Sequence, residues 1–131
     1  ISSDIGWRRP LHYGMLGMIL MAYLEPSETR RIIKKHPLDL HTALSITDED
    51  AFSLRLGEIR EKGYLLEKEE AVEGVLGVAA PVRDHSRQVV AALGIAMPMA
   101  QRRLSKELDR IIDLVKKACE DMSSDLGYLK I

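Results

Sequence analysis

Residues 63–98, GYLLEKEEAVEGVLGVAAPVRDHSRQVVAALGIAMP, decide how this chain folds. An acidic burst (Glu67, Glu69, Glu70, Glu73) runs into two apolar segments, and each segment holds an internal glycine, Gly77 and Gly94. Strand interiors usually exclude glycine, which loses the most entropy on ordering and presents nothing to pack. Read as strands, GVLGVAAPVR and QVVAALGIAM are joined by Asp84-His85-Ser86-Arg87, a common hairpin length. That loop pairs Arg83 with Gln88, and the register follows two residues at a time. Val75 then faces Ala96, Gly77 faces Gly94 and Ala79 faces Ala92, while Leu76 meets Ile95, Val78 meets Leu93 and Val82 meets Val89. One face is large and branched and the other is a trough of glycine and alanine, so both must be covered. Two explanations of the trough stay open: a helix lying very close to the sheet, or the floor of a ligand pocket.

Working outward, Ile1–Ile5 reads as a short extended segment. PLHYGMLGMILMAYL reads as a helix with Pro10 in its first turn, apolar nearly all round and therefore buried. Its small residues Gly14, Gly17 and Ala22 predict close contact with another element. PSETRRIIKKHP is a short basic helix stopped by Pro37. TDED caps the next helix, with Thr47 as N-cap and Asp50 three residues on. That helix places Phe52, Leu56 and Ile59 on one stripe and ends at Gly63. A last helix starts near Ser105 and carries Leu108, Ile111, Ile112, Val115, Cys119, Met122 and Leu126 on its apolar face before Gly127. The class is α+β with an antiparallel sheet.

Composition narrows the function. The chain has 131 residues, enough for one domain with its own core. At 46% hydrophobic and 30% charged it is not a disordered sequence. Its 19 basic and 20 acidic residues nearly cancel, which leaves no electrostatic footprint for nucleic acid or an anionic membrane. MLGMILMAYL, the longest apolar run, is about half the ~20 residues that span a bilayer. One cysteine, Cys119, excludes an internal disulfide framework and fits a reducing compartment. On the apolar face of the last helix it reads as core. Glu67, Glu69 and Glu70 are too close along the chain for a separated acid/base pair, and Glu69, Glu70 and Glu73 read as a solvated strand end. His12, His36, His41 and His85 lack metal-ligand spacing, and His12 reads as a satisfied structural histidine. Arg30, Arg31, Lys34 and Lys35 read as a charged solvent face. Apolar positions on the last helix or near Trp7 suit self-association.

Several stretches together, GWRRPLHYGMLGMILMAYL, EIREKGYLLEKEEAVEGVLGVAAPVRD, VVAALGIAMP and the terminal SSDLGY, resemble the effector-binding domain of IclR-family bacterial transcriptional regulators. The matching positions are Gly6, Arg8, Pro10-Leu11-His12, Gly17, Ala22, Arg60, Gly63-Tyr64, Glu69-Glu70, Gly74, Ala79–Val82, Asp84 and Pro98. The resemblance covers nearly the whole chain. It implies a GAF-like antiparallel sheet flanked by helices, one effector-binding domain over residues 1–131, and a cytoplasmic protein. It also implies a winged helix-turn-helix upstream, outside this chain, which would account for a start without methionine and for the neutral charge.

By the same resemblance the partners are a small-molecule effector, a second copy in a dimer or tetramer, and DNA through the upstream domain. No membrane, metal or cofactor is implied, and the role is binding without catalysis. Carried over position by position, the effector meets Arg9, the loop backbone at Met15-Leu16, Glu67, and the strand positions Val75, Gly77, Gly94 and Ala96. Members that bind small keto acids carry cysteine and serines on the strands, where this chain has Gly77, Gly94 and Ala96. The helix lysine is Met18 here, and the small loop pair is Met15 and Leu16. A site so poor in donors is expected to take a larger, less polar effector, an aromatic or alicyclic acid or a neutral metabolite. The helix N-terminus, with Arg8 or Arg9, would receive a carboxylate. A small enzyme using Glu67 and His12 and a ligandless oligomerisation module are the alternatives.

Overall fold

A computed structural model describes residues 4–100 and 104–130, and the side chains of residues 104 and 105 are not part of the description. The elements run α1 (Met15–Ala22), α2 (Pro26–Lys35), α3 (Glu49–Lys62), β1 (Leu65–Lys68), β2 (Val75–Arg83), β3 (Val89–Pro98) and α4 (Leu104–Asp125). The three strands form one antiparallel sheet in the order β1-β2-β3. The fold is α+β, with helices on both faces of the sheet.

The hairpin turn falls at Asp84–Arg87, as the sequence predicts, but it sets a different register. Arg87 adopts the left-handed conformation (φ 68°) and donates to the Asp84 carbonyl at 3.0 Å, while Asp84 N–H donates to Gln88 at 3.2 Å. A second irregularity between Val82 and Arg83 leaves Val90 without an opposite residue. The expected register therefore slips by two. Gly77 faces Ala96, Ala79 faces Gly94, Val75 faces Pro98, Leu76 faces Met97, Val78 faces Ile95, and Arg83 faces Val89 rather than Gln88. A slip of two keeps every side chain on its predicted face, because the pleat repeats every second residue. β1 is a strand the sequence reading does not name. It places Leu65 opposite Ala79 and Glu67 opposite Gly77, and it ends before Pro81, which cannot donate to a central ladder.

The two faces carry separate cores. Val78, Ala80 and Val82 pack under Ile112, Val115 and Cys119 of α4. Leu65 and Ala79 join Met18, Ile19, Met21 and Ala22 of α1, with Phe52, Leu56 and Ile59 of α3 behind them. Ile19 and Met21 are fully buried, each worth about 1.5–3 kcal/mol of transfer free energy.

Several local expectations are corrected. Residues 1–3 of the expected extended segment lie outside the described residues. Ile5 and Gly6 form a turn closed by Trp7 N–H on the Asp4 carbonyl at 3.1 Å. The first helix starts at Met15, not at Pro10, because Gly14 sits at φ 89° and interrupts helical geometry. The N-cap of α3 is Asp48, which accepts from Ala51 N–H at 2.9 Å, so Thr47 lies one residue outside. On α4 the residue buried after Cys119 is Ser123, while Met122 and Leu126 are exposed. Ser123 accepts from Arg83 N–H at 2.9 Å and donates to the Cys119 carbonyl at 2.7 Å, tying α4 to β2.

Gly17 is the point of closest approach before the sheet: a Cβ there would collide with the Leu11 carbonyl. In an open helix Gly→Ala gains about 1 kcal/mol. Gly17→Ala is expected to lose about 3 kcal/mol instead through overpacking, read as a lower urea midpoint. A gain would mean that the segment before α1 does not lie on the helix. Ser123→Ala leaves the part-buried Arg83 N–H without its partner and should cost about 1 kcal/mol in the same assay.

Candidate functional site

Met15 answers the question of the glycine trough. Its side chain lies across both glycines: a Cβ on Gly77 would stand 2.6 Å from the Met15 sulfur, and one on Gly94 would stand 3.1 Å from its terminal methyl. Gly94 is also close to the sheet itself, 2.8 Å to the Val78 carbonyl oxygen by the same construction. Gly77 and Gly94 are thus occupied by packing, and helix contact accounts for them.

A cavity of about 850 Å³ opens beside the methionine. Val75 and Ala96 line its strand side, Met15 and Leu16 its helix side, and Arg9 its rim, with Glu67 at the inner end. Six of the eight predicted effector residues therefore meet in one space, while Gly77 and Gly94 lie beneath Met15. Asp4, Trp7, Tyr13, Gly14, Ala71 and Val72 complete the lining, and none of them is among the predicted site residues. The available signal was a lone tryptophan in an exposed, arginine-rich segment. Arg9 has its guanidinium carbon 3.8 Å from the Trp7 ring centroid and 4.4 Å from that of Tyr13.

Glu67 is the polar centre of the inner end. It alternates inward on β1 beside Leu66, which points to the other core, so the pleat alone buries it; it is 4% exposed. Its Oε1 accepts from Ala71 N–H at 2.7 Å, and its Oε2 comes within 3.1 Å of where a Gly77 Cβ would stand. Burial pushes its carboxyl above the ordinary carboxylate range, against the opposing pull of the Ala71 hydrogen bond and of Arg55. Glu70 is not the solvated residue expected. It pairs with Arg55 at 3.1 Å while Arg55 also donates to the Leu66 carbonyl at 2.8 Å, and burial raises its carboxyl too. Glu69 takes a positive φ of 54° and accepts from Gly74 N–H at 2.9 Å, and Glu73 stays exposed. The loop carrying these acids is pinned from three sides. Tyr13 donates to the Ala71 carbonyl at 3.2 Å, Ser45 to that of Glu70 at 2.6 Å, and Thr42 to that of Glu69.

His12 is buried but not satisfied: its Nε2 has no partner among the described residues. It lines a small pocket of about 30 Å³ that also touches Glu67, Glu70, His41 and Ser45. His41 stacks edge-on to Tyr13 with ring centroids 4.2 Å apart. No metal-holding group of His, Cys, Asp or Glu occurs among the described residues. Cys119 is in the core, donating to the Ala80 carbonyl at 3.4 Å, and burial pushes its thiol up. No helix among the described residues is long and apolar enough to cross a membrane.

An antiparallel sheet covered on both faces, with a cavity at the start of a buried helix, is the arrangement of a small-molecule-binding domain. Comparison with known proteins specifies it further. The family described as bacterial transcriptional regulator IclR C-terminal matches residues 1–124. The HTH-type transcriptional regulator XynR of Escherichia coli (strain K12) is 32% identical over 126 residues, covering 96% of this chain and 50% of that protein. The C-terminal domain of the E. coli transcriptional regulator KdgR superposes with a TM-score of 0.84 at 30% identity, covering 95% of this chain and 75% of that one. The inducer-binding domain of the Acinetobacter PobR transcription factor, a double mutant in complex with 3-hydroxy benzoic acid, gives a TM-score of 0.83 at 26% identity, covering 94% and 72%. The chain belongs to the IclR family of bacterial transcriptional regulators, in its C-terminal domain. It spans about half the length of the curated relatives it matches.

The raised carboxyl of Glu67 has a pH consequence. A folded-state pKa above the unfolded value means that the ionised form costs stability. That cost is fully present above the folded pKa and is relieved as pH falls through it. Glu67→Gln keeps an oxygen for Ala71 N–H and removes the charge. Relative to the parent, it should gain stability near neutral pH, and the gap should close as pH falls into the ordinary carboxylate range. Urea midpoints measured across pH check this, and a pH-independent gap would contradict it.

Proposed function

We propose that this chain is the effector-sensing part of a bacterial transcription regulator, holding a small carboxylic acid or a related aromatic or alicyclic metabolite. The observation that carries the reading is the cavity beside Met15, which gathers Arg9, Leu16, Glu67, Val75 and Ala96 into one space of about 850 Å³. Pre-formed concave spaces with an apolar lining and few polar groups are the usual ligand sites. The PobR relative, whose inducer-binding domain holds 3-hydroxy benzoic acid, supports an acid of that size. β2 and β3 present no side-chain donor on the cavity floor, only Val75 and Ala96, which disfavours a compact keto acid.

The mechanism is binding without bond-making, in a cytoplasmic protein. An effector bridging the strand floor and the start of α1 favours one arrangement of two or more copies, and so biases a winged helix-turn-helix upstream on DNA. This requires unequal affinity for the two arrangements. One observation favours the rival reading of a ligandless oligomerisation module: Met15 already fills the trough over Gly77 and Gly94.

A thermal-shift screen of aliphatic, aromatic and alicyclic acids with their neutral analogues separates the two readings. A ligand at a hundred times its Kd adds about 2.7 kcal/mol, a rise in Tm on the order of 10 °C for a domain this size. The shift is expected to vanish in Ala96→Leu, which fills the cavity from an exposed strand position. A panel with no shift at all would overturn the sensor reading in favour of the oligomerisation module.

A further inference from the structure

The cavity rim carries an arrangement of side chains that the likeness alone does not give, a guanidinium packed on two aromatic rings. Arg9 lies between two aromatic faces, 3.8 Å from the Trp7 centroid and 4.4 Å from the Tyr13 centroid. Stacking engages the flat faces of a guanidinium and leaves its N–H edge available. Among the described residues Arg9 makes no ion pair, although Asp4 stands exposed at the same rim. Trp7 is 54% exposed, unusual for an indole that serves only packing. Tyr13 is held in turn by its hydroxyl on the Ala71 carbonyl, so the stack is anchored to the acidic loop.

The charges along the cavity lie at its two ends. Arg9, with free donors, stands at the rim with the exposed Asp4; Met15, Val75 and Ala96 make an apolar middle; and the Glu67 carboxyl closes the inner end. A guanidinium whose rotamers are already restricted loses little entropy on meeting a carboxylate. A second carboxylate at the far end of a ligand would face Glu67 and be repelled.

We propose that Trp7, Arg9 and Tyr13 form a preorganised carboxylate clamp, which makes this cavity select monocarboxylic acids with an apolar body, held acid-outward, over dicarboxylates of the same length. The proposal rests on the reading of the cavity as the effector site. It assigns Arg9, stacked on Trp7 and Tyr13, as the specificity-determining residue and Glu67 as the group that rejects a second charge.

The test uses benzoate, benzamide and terephthalate as probes. Calorimetry gives the affinities, and the fluorescence of Trp7, the single tryptophan of the chain, reports events at the rim. Benzoate is expected to change the Trp7 emission and to bind at least about tenfold more tightly than benzamide, the scale of one charge-assisted pair. Terephthalate is expected to bind poorly. Arg9→Gln should bring the benzoate-to-benzamide ratio close to one, with the loss falling mainly on benzoate. Arg9→Lys should recover part of the ratio, and Glu67→Gln should admit terephthalate. A ratio that survives Arg9→Gln in a variant that melts like the parent overturns the clamp and leaves the cavity reading standing. Binding of none of the three probes, with no shift in Tm for any acid in the wider panel, overturns both.

Discussion

The contact of the Met15 thioether with the backbone of Gly77 and Gly94 fills the space between the first helix and the sheet. A Cβ at Gly77 would meet the Met15 sulfur at 2.6 Å and displace the methionine, while one at Gly94 would also meet the Val78 carbonyl at 2.8 Å, a backbone atom that cannot swing away. Methionine suits the place because its unbranched, polarisable side chain can lie flat over an irregular surface. On the same helix Gly17 admits the Leu11 backbone, which brings the segment before α1 down onto it. Gly14, at φ 89°, makes the sharp change of direction that lets this segment lie there instead of extending the helix. Four glycines, in β2, in β3, in α1 and at its N-cap, thus serve one packing arrangement.

The cavity is a by-product of that arrangement. Close packing ends where Met15 ends, and beyond it Val75 and Ala96 are too small to reach the helix. The acidic loop closes the remaining side because its carbonyls are engaged by Tyr13, Ser45 and Thr42 and its Glu70 by Arg55. Glu67 is held at the inner end by strand alternation, with one oxygen satisfied by Ala71. A carboxyl kept there against its desolvation cost is a feature retained for what it faces, the pattern of functional sites more than of cores. The unpartnered His12 Nε2 borders the adjoining small pocket, so polar groups concentrate at this end while the rim holds the cation.

The second face shows how two cores share one sheet. Val78 and Val82 alternate with Gly77 and Ala79, so branched residues meet α4 and small ones meet α1. Small residues on one face let α1 and its methionine come close. On the other, large residues meet a long amphipathic helix, with Ser123 linking α4 to the end of β2 through Arg83.

How much of this was legible depends on the range over which each feature is determined. The faces of the hairpin, the turn at Asp84–Arg87, the α2 and α3 helices and the stop at Gly63 follow from local periodicity and from residues with restricted backbone conformations. The chain alone therefore determined them. The likeness that picked out Arg9, Met15, Leu16, Glu67, Val75 and Ala96 was also local, since those residues sit at fixed offsets from recognisable motifs. The register, the start of α1, the burial of Ser123 in place of Met122 and the orphaned His12 were decided only in three dimensions. A bulge at Val90 and an αL residue at Arg87 slip the register by an amount that leaves the hydrophobic pattern unchanged, so the pattern could not report it. Whether the small residues of β2 and β3 lie under a ligand or a methionine was likewise invisible in one dimension. Spacing along a strand states which residues share a face, but only the path of the rest of the chain states what covers it.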